Sequence, residues 1–264
     1  MLKILIMGND KRSVKVAEIL EKTLQNATTM LLQTENQLFK KTDVYLLPIP
    51  FSIDGNHINN SSVSIGTEEF FKNIPDNALV ISAGYNREGV INMNSRDDFA
   101  YKNAVPTAEG AISLAITATE STLSDSHILI TGFGRVSKLL AHRLFPFSKH
   151  ITIAVRKNGD LAHIESLGLK ALPIDKLAEN LGQFDIIFNT VPSPIFNSKT
   201  LSAAKEGSVF IELASGQAGF DVPIIKSLPL IYINAPSLPS KTAPATSGKI
   251  MAETVINILK ENYG

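Results

Sequence analysis

Apolar residues in this chain gather in short continuous runs. "LKILIMG" (2–8), "DVYLLPIP" (43–50) and "NALVISAG" (77–84) lie in the first third; "HILIT" (127–131), "HITIAV" (150–155), "FDIIFNT" (184–190), "GSVFIELA" (207–214) and "PLIYINAP" (229–236) follow from residue 127 onward. Runs of four to eight residues without alternation are the pattern of strands buried on both faces, as in a parallel sheet. Between them the period changes to that of a helix. Val16, Ala17, Leu20 and Leu24 share one helical face, as do Val136, Leu139, Leu140 and Leu144. "GDLAHIESLG" (159–168) reads as a short helix closed by Gly168. Strand and helix alternate through short connections, which predicts βαβ units with right-handed crossovers.

The pattern predicts an α/β protein of two Rossmann-like domains with parallel sheets and an inter-domain cleft. The first domain is expected over residues 1–105. Residues 106–245 are expected to hold a linking helix and a Rossmann domain. "NAVPTAEGAISLAITATE" (103–120) is the linking helix, with Pro106 in its first turn. The last helix, 246–262, carries Ile250, Met251, Val255, Ile258 and Leu259 at helical spacing and is expected to pack back on the first domain, capped by Thr246 or Ser247.

Composition narrows the function. The formal net charge is zero over 264 residues, so no basic excess points to nucleic acid. No apolar run approaches a membrane span. There is no cysteine, which removes thiolate nucleophiles and Cys-ligated metals and fits a cytoplasmic protein. The five histidines are not spaced as a metal cluster, so no metal is expected. His57 alone lies in a polar loop. Self-association stays open.

The motif that carries chemistry is "ITGFGRVS" (130–137). A strand stops, two glycines follow and an amphipathic helix opens, which is the context a dinucleotide fingerprint needs. Gly132 makes the tight turn and Gly134 lets the backbone approach a pyrophosphate. Phe133, Arg135 and Val136 complete the turn, and the helix start offers N–H groups and a positive dipole end. The third glycine of the fingerprint is replaced by Ser137, a small residue at a packing position. A bare structural turn is the competing reading.

About 20 residues past such a turn, an NAD site usually carries an acid for the ribose 2′-OH. Here stand Arg156 and Lys157, cations suited to a 2′-phosphate, so NADP is expected. Asn189, Thr190, Val191 and Pro192 follow the next strand, with Asn189 and Thr190 expected to bond the nicotinamide ribose. Ala214 and Ser215 sit at a similar strand end.

Taken together, "RDDFAYKNAVPTAEGAISLAI" (96–116), "GFGRVS", "AVRK", "NTVPS", "ELAS" and "APSLPSKTAPATSGKI" resemble the dipicolinate synthase A-subunit family of spore-forming bacteria over almost the whole chain. "MGNDKR" resembles the family's turn after its first strand. The resemblance implies an NADP-binding Rossmann domain, a smaller N-terminal α/β domain and oxidation of dihydrodipicolinate to dipicolinate. It also implies a partner, the flavoprotein-like B-subunit. The chain departs from the family at "GQAG" (216–219), where an arginine-containing run is usual.

A dicarboxylate substrate needs donors. Asn103, Thr107 and the N–H groups after Pro106 are candidates, joined by Ser82, Gly84 and Ser215. Glu109 is the candidate proton acceptor, against a bland role as a first-turn acid. Lys11, Arg12, Tyr85 and Arg87 read equally well as anion ligands or as solvated surface. The alternative function is a non-catalytic NADP-binding or redox-sensing protein that acts through a partner.

Overall fold

The computed structural model describes all residues of the chain except Phe39, Gln217 and Ala218. It divides into two compact units: Met1–Asn103 with Ala243–Gly264, and Ala104–Thr242. Each is a parallel sheet with helices on its faces.

In the first unit the strands are β1 (Leu2–Ile6), β2 (Ala27–Leu31), β3 (Val44–Leu46), β4 (Leu79–Ser82) and β5 (Val90–Asn92), in the spatial order β2-β1-β3-β4-β5. Every pairing is parallel. Successive residues of β1 point to opposite faces, so the unit has two cores. Ile4 and Ile6 pack with Val44, Leu46 and Ile81 on one side, while Leu5 and Met7 pack with Tyr45, Leu47 and Phe70 on the other. The first core is closed by α1 (Lys11–Thr23), the second by the short α2 (Thr67–Asn73).

The next helix, α3 (Asp97–Ala118), begins nine residues before Pro106. The expectation of a helix start at Pro106 is therefore corrected: this proline sits inside the helix, where its ring and missing N–H disturb one turn and leave the Lys102 carbonyl without its usual donor. Asp97 and Asp98 supply the acids of the true first turn. The N–H groups after Pro106 are consequently helix interior and not an anion-binding helix start.

The second unit contains β6 (Ile128–Thr131), α4 (Arg135–Leu144), β7 (Ile151–Val155), α5 (Asn158–Ser166), β8 (Lys170–Pro173), the short α6 (Leu177–Asn180), β9 (Ile186–Asn189), α7 (Ser198–Leu201), β10 (Val209–Glu212), α8 (Val222–Ser227), β11 (Ile231–Asn234) and α9 (Leu238–Thr242). The spatial order is β11-β10-β9-β6-β7-β8, again parallel throughout. This is the doubly wound order of dinucleotide-binding sheets, with its reversal between β6 and β9.

The final helix, α10 (Pro244–Tyr263), belongs to the first unit and packs along α1. Gly248 makes that approach possible: a Cβ there would lie 2.6 Å from Lys15 Cβ and 2.8 Å from the Arg12 carbonyl. The helix starts on Pro244 with Ala243 as its N-cap, and no side chain caps it. Thr246 and Ser247 already lie inside the first turns, so the expected hydroxyl cap is replaced by a proline whose absent N–H needs none.

Asp10 caps α1, accepting from the Ser13 N–H at 3.0 Å and from Arg12 Nε at 2.7 Å. Arg12, 7% exposed, also donates to the Ile49 carbonyl at 2.9 Å. Burial pushes the Asp10 carboxyl up, but the bonds from Arg12 and Ser13 outweigh it and hold the pKa below its ordinary value. This stabilisation is present above the ordinary aspartate pKa and is lost as pH falls through the lower folded value. Asp10→Ala is expected to cost about 1 kcal/mol at neutral pH, read as a lower urea midpoint. The deficit should shrink as the pH is lowered through that range.

Candidate functional site

Both units contain a strand, a glycine turn and a helix, and the two turns differ in one decisive respect. In the first unit the α1 N-terminus is occupied from within by the Asp10 carboxylate, and a Cβ on Gly8 would collide with Ser13 Oγ. In the second unit Gly134 is the N-cap of α4, with no side-chain cap. A Cβ built on Gly134 meets nothing within 4 Å. The α4 start thus has no side-chain cap, and its positive dipole end suits an anion, whereas the α1 start carries its own carboxylate.

Gly132 sets the turn. Its φ is +88°, the left-handed region that side chains avoid, and a Cβ there would come within 2.8 Å of Thr190 Oγ1 and 2.9 Å of Val191 Cγ2. The loop after β6 is therefore seated directly against the loop after β9. Ser137, at the place of the third glycine, is fully buried and donates to the Gly132 carbonyl at 2.6 Å. Its hydroxyl ties the first turn of α4 back to the glycine turn, a role beyond packing.

Beneath these loops lies a row of polar residues. Thr131, Asn189 and Glu212 end β6, β9 and β10 and are in register across the three strands. Their exposures are 0%, 0% and 3%. Thr131 Oγ1 donates to Asn189 Oδ1 at 2.6 Å, and Asn189 Nδ2 donates to Glu212 Oε1 at 2.7 Å. The loops hang on the same groups. Thr190 Oγ1 donates to the Thr131 carbonyl at 2.6 Å, the Val191 N–H to Asn189 Oδ1 at 3.1 Å, and Asn189 Nδ2 also to the Val191 carbonyl at 3.0 Å. The Ala214 and Gly219 N–H groups donate to the two oxygens of Glu212 at 3.1 and 2.7 Å. Burial pushes the Glu212 carboxyl above the ordinary glutamate value, against the opposing pull of these donors.

The structure brings together Gly132, Phe133, Gly134, Arg135 and Val136 in one turn, with Thr190, Val191 and Ala214 linked to that level by hydrogen bonds or close approach. Pro192 is exposed on the same loop as Val191. Asn189 is placed in the interior with both ends of its amide engaged. Arg156 and Lys157 are exposed just past the end of β7, where Lys157 is the N-cap of α5. Ser215 is exposed after β10. Gln217 and Ala218, the middle of "GQAG", lie outside the described residues.

Asn103 and Thr107 are half-buried on α3, and Glu109 is exposed there, 3.2 Å from Arg143 of α4. Ser82 and Gly84 lie at the end of β4 and just past it in the first unit. The Ser82 hydroxyl donates to the Tyr85 carbonyl at 2.8 Å, and the Gly84 N–H donates to Asn92 Oδ1 at 2.9 Å. His57 is bound to Asp54 at 2.8 Å, and Arg87 grips Glu68 at 2.7 and 3.1 Å while lying over the Phe71 ring. Among the described residues, no group of three or more His, Cys, Asp or Glu is placed to hold a metal ion. No described helix is long and apolar enough to cross a membrane.

Comparison with known proteins agrees with this geometry. Residues 100–228 match the family described as D-isomer specific 2-hydroxyacid dehydrogenase, NAD binding domain. The chain is 27% identical to the dipicolinate synthase A-subunit of Bacillus subtilis (strain 168), over 98% of this chain and 96% of that protein. The crystal structure of the dipicolinate synthase A-subunit from Bacillus halodurans superposes with a TM-score of 0.87 at 25% identity, covering 98% of this chain and 97% of that one. A transhydrogenase from Sinorhizobium meliloti shares the fold, with a TM-score of 0.65 at 14% identity over 97% and 94% of the two chains. Fold, turn and likenesses define an oxidoreductase-type protein with a nicotinamide-dinucleotide-binding unit. Within that class, the chain resembles the dipicolinate synthase A-subunit along almost its whole length.

The two glycines can be separated by substitution. Gly132→Ala forces a side chain into a left-handed backbone and against Thr190, and is expected to cost at least about 1 kcal/mol of stability. Gly134→Ala, with an ordinary φ of −83° and open space, is expected to fold with an unchanged urea midpoint and to weaken dinucleotide binding. Calorimetric titration beside denaturant unfolding distinguishes the two.

Proposed function

We propose that this chain is an NADP-dependent oxidoreductase of the dipicolinate synthase A-subunit type, which converts dihydrodipicolinate to dipicolinate during sporulation in the cytoplasm. The observation that carries the proposal is the likeness to that family along 98% of the chain. The uncapped α4 start gives that likeness a physical basis in this protein's own residues.

The N–H groups beyond Gly134 receive the pyrophosphate, and Gly132 keeps the turn tight enough for the approach. Arg135 and Val136 open the helix beneath it. Thr190, Val191, Pro192 and Ala214 line the nicotinamide side, and Asn189 holds those loops from below. Arg156 and Lys157 bind the 2′-phosphate, which selects NADP although the matching family's description reads NAD. The bound cofactor supplies the hydride acceptor.

The substrate ring loses one hydride and one proton and becomes an aromatic pyridine. The chain's task is to hold the reacting C–H and to receive the proton. Asn103, Thr107 and Ser215 are the proposed partners of the substrate carboxylates, and Glu109 is the proposed proton acceptor. The flavoprotein-like B-subunit is the proposed protein partner. A second reading, a non-catalytic NADP-binding or redox-sensing protein, is favoured by one observation: "GQAG" stands where the family usually carries an arginine.

The purified chain is to be mixed with dihydrodipicolinate and NADP+, with and without the B-subunit. The proposal predicts the appearance of NADPH and dipicolinate in at least one mixture. Their absence from both would defeat it, and heat stabilisation by NADP+ would then support the second reading. In the same preparation NADP+ is expected to bind at least about tenfold tighter than NAD+, the value of one charge-assisted hydrogen bond. Tighter NAD+ would reverse the cofactor assignment.

A further inference from the structure

One buried charged group lies beneath the loops of the proposed dinucleotide site. Glu212 is 3% exposed, and a carboxylate removed from water costs free energy unless its oxygens are satisfied. Among the described residues they are satisfied by N–H groups: Asn189 Nδ2 and the Ala214 N–H on one oxygen, the Gly219 N–H on the other. Among the described residues no cation pairs with it. Each of these partners is a donor, so a proton on the carboxyl has no acceptor among them and would displace one of the three bonds. The ionised form is the one this cage fits.

The orientation of Asn189 is fixed by the same logic. Its oxygen accepts from Thr131 and Val191, so its nitrogen must face the Glu212 carboxylate. Three donors converge on the two oxygens, more than a neutral amide with one accepting oxygen could receive, so the anchor itself calls for a carboxylate and fixes a negative charge at this point. It lies at the carboxyl end of β10, in register with the strand ends of β9 and β6, where the sheet order reverses and ligands of open α/β sheets bind. A nicotinamide ring is cationic when oxidised and neutral when reduced. A fixed anion in a poorly screened interior therefore distinguishes the two forms.

We propose that Glu212 is a positioning residue which shapes the loop after β10 and whose buried charge makes the site prefer the oxidised, cationic nicotinamide over the reduced, neutral one. The inference rests on the dinucleotide site proposed above. It gives the protein a direction, since a site that prefers the oxidised cofactor is set to withdraw a hydride from its substrate and to release the reduced product.

Dissociation constants of NADP+ and NADPH measured for the parent chain, Glu212→Gln and Glu212→Asp test it. In Glu212→Gln the ratio of the NADPH constant to the NADP+ constant is expected to fall about tenfold. Glu212→Asp keeps the charge on a shorter arm and is expected to keep the ratio while its melting temperature drops. An unchanged ratio in a folded Glu212→Gln that binds both forms would overturn the Glu212 assignment and leave the dinucleotide site standing. If Glu212→Gln does not fold, Glu212→Asp decides: retention of the parent's preference supports the assignment, and its loss overturns it. Failure of the parent to bind either form would overturn the dinucleotide site, and the Glu212 assignment with it.

Discussion

Buried parallel strands all end at one level, and at that level the backbone leaves its ladder and needs new partners. In the second unit Thr131, Asn189 and Glu212 meet this need for three neighbouring strands at once. Each satisfies the next, and each holds a loop: the Thr131 carbonyl receives the Thr190 hydroxyl, Asn189 binds both backbone groups of Val191, and Glu212 takes the Ala214 and Gly219 N–H groups. The seating of the glycine turn depends on this row, because Gly132 lies against Thr190 and Val191. The loops over the switch point are thus shaped by a network whose three members are all buried, which limits how far any of them can shift.

The same supersecondary unit serves two ends in this chain. The first unit closes its helix start with the Asp10 carboxylate and locks it with Arg12, which commits the dipole end to the protein's own stability. The second unit puts glycine at the equivalent place and leaves the helix start uncapped. An uncapped N-terminus costs stability unless something binds it. The proposal that the second turn binds the dinucleotide rests on that asymmetry more than on the presence of glycines. Ser137 supports it by bonding the Gly132 carbonyl from inside the helix, so the missing third glycine is replaced by a tether.

The strands legible in the sequence were those whose apolar runs are buried on both faces: β1, β3, β4, β6, β7, β9 and β10, with β11 marked by its flanking prolines. Unmarked were β2, β5 and β8, all at sheet edges, where burial is partial and the runs "ATTML", "VIN" and "KALP" carry no continuous apolar signal. Pro106 misled in a different way. A proline in a helical pattern signals a start, yet α3 runs on through this one. The turn at Gly132 and Gly134 was legible because backbone geometry demands those residues. The polar row was present in the sequence as the last residue of "ILIT", "IIFN" and "VFIE", a repeated polar ending on buried strands. Its meaning depends on register between distant segments, which one strand at a time does not reveal.

The nicotinamide dinucleotide is assigned to the α4 start in the second unit and not to the α1 start in the first. Amide chemical shifts of the labelled chain, followed during titration with NADP+, test this most directly. Large, saturable shifts at Gly134, Arg135 and Val136, with Lys11, Arg12 and Ser13 unmoved, are the predicted result. Shifts centred on residues 11–13, or none at residues 134–136 under saturating NADP+, would contradict it.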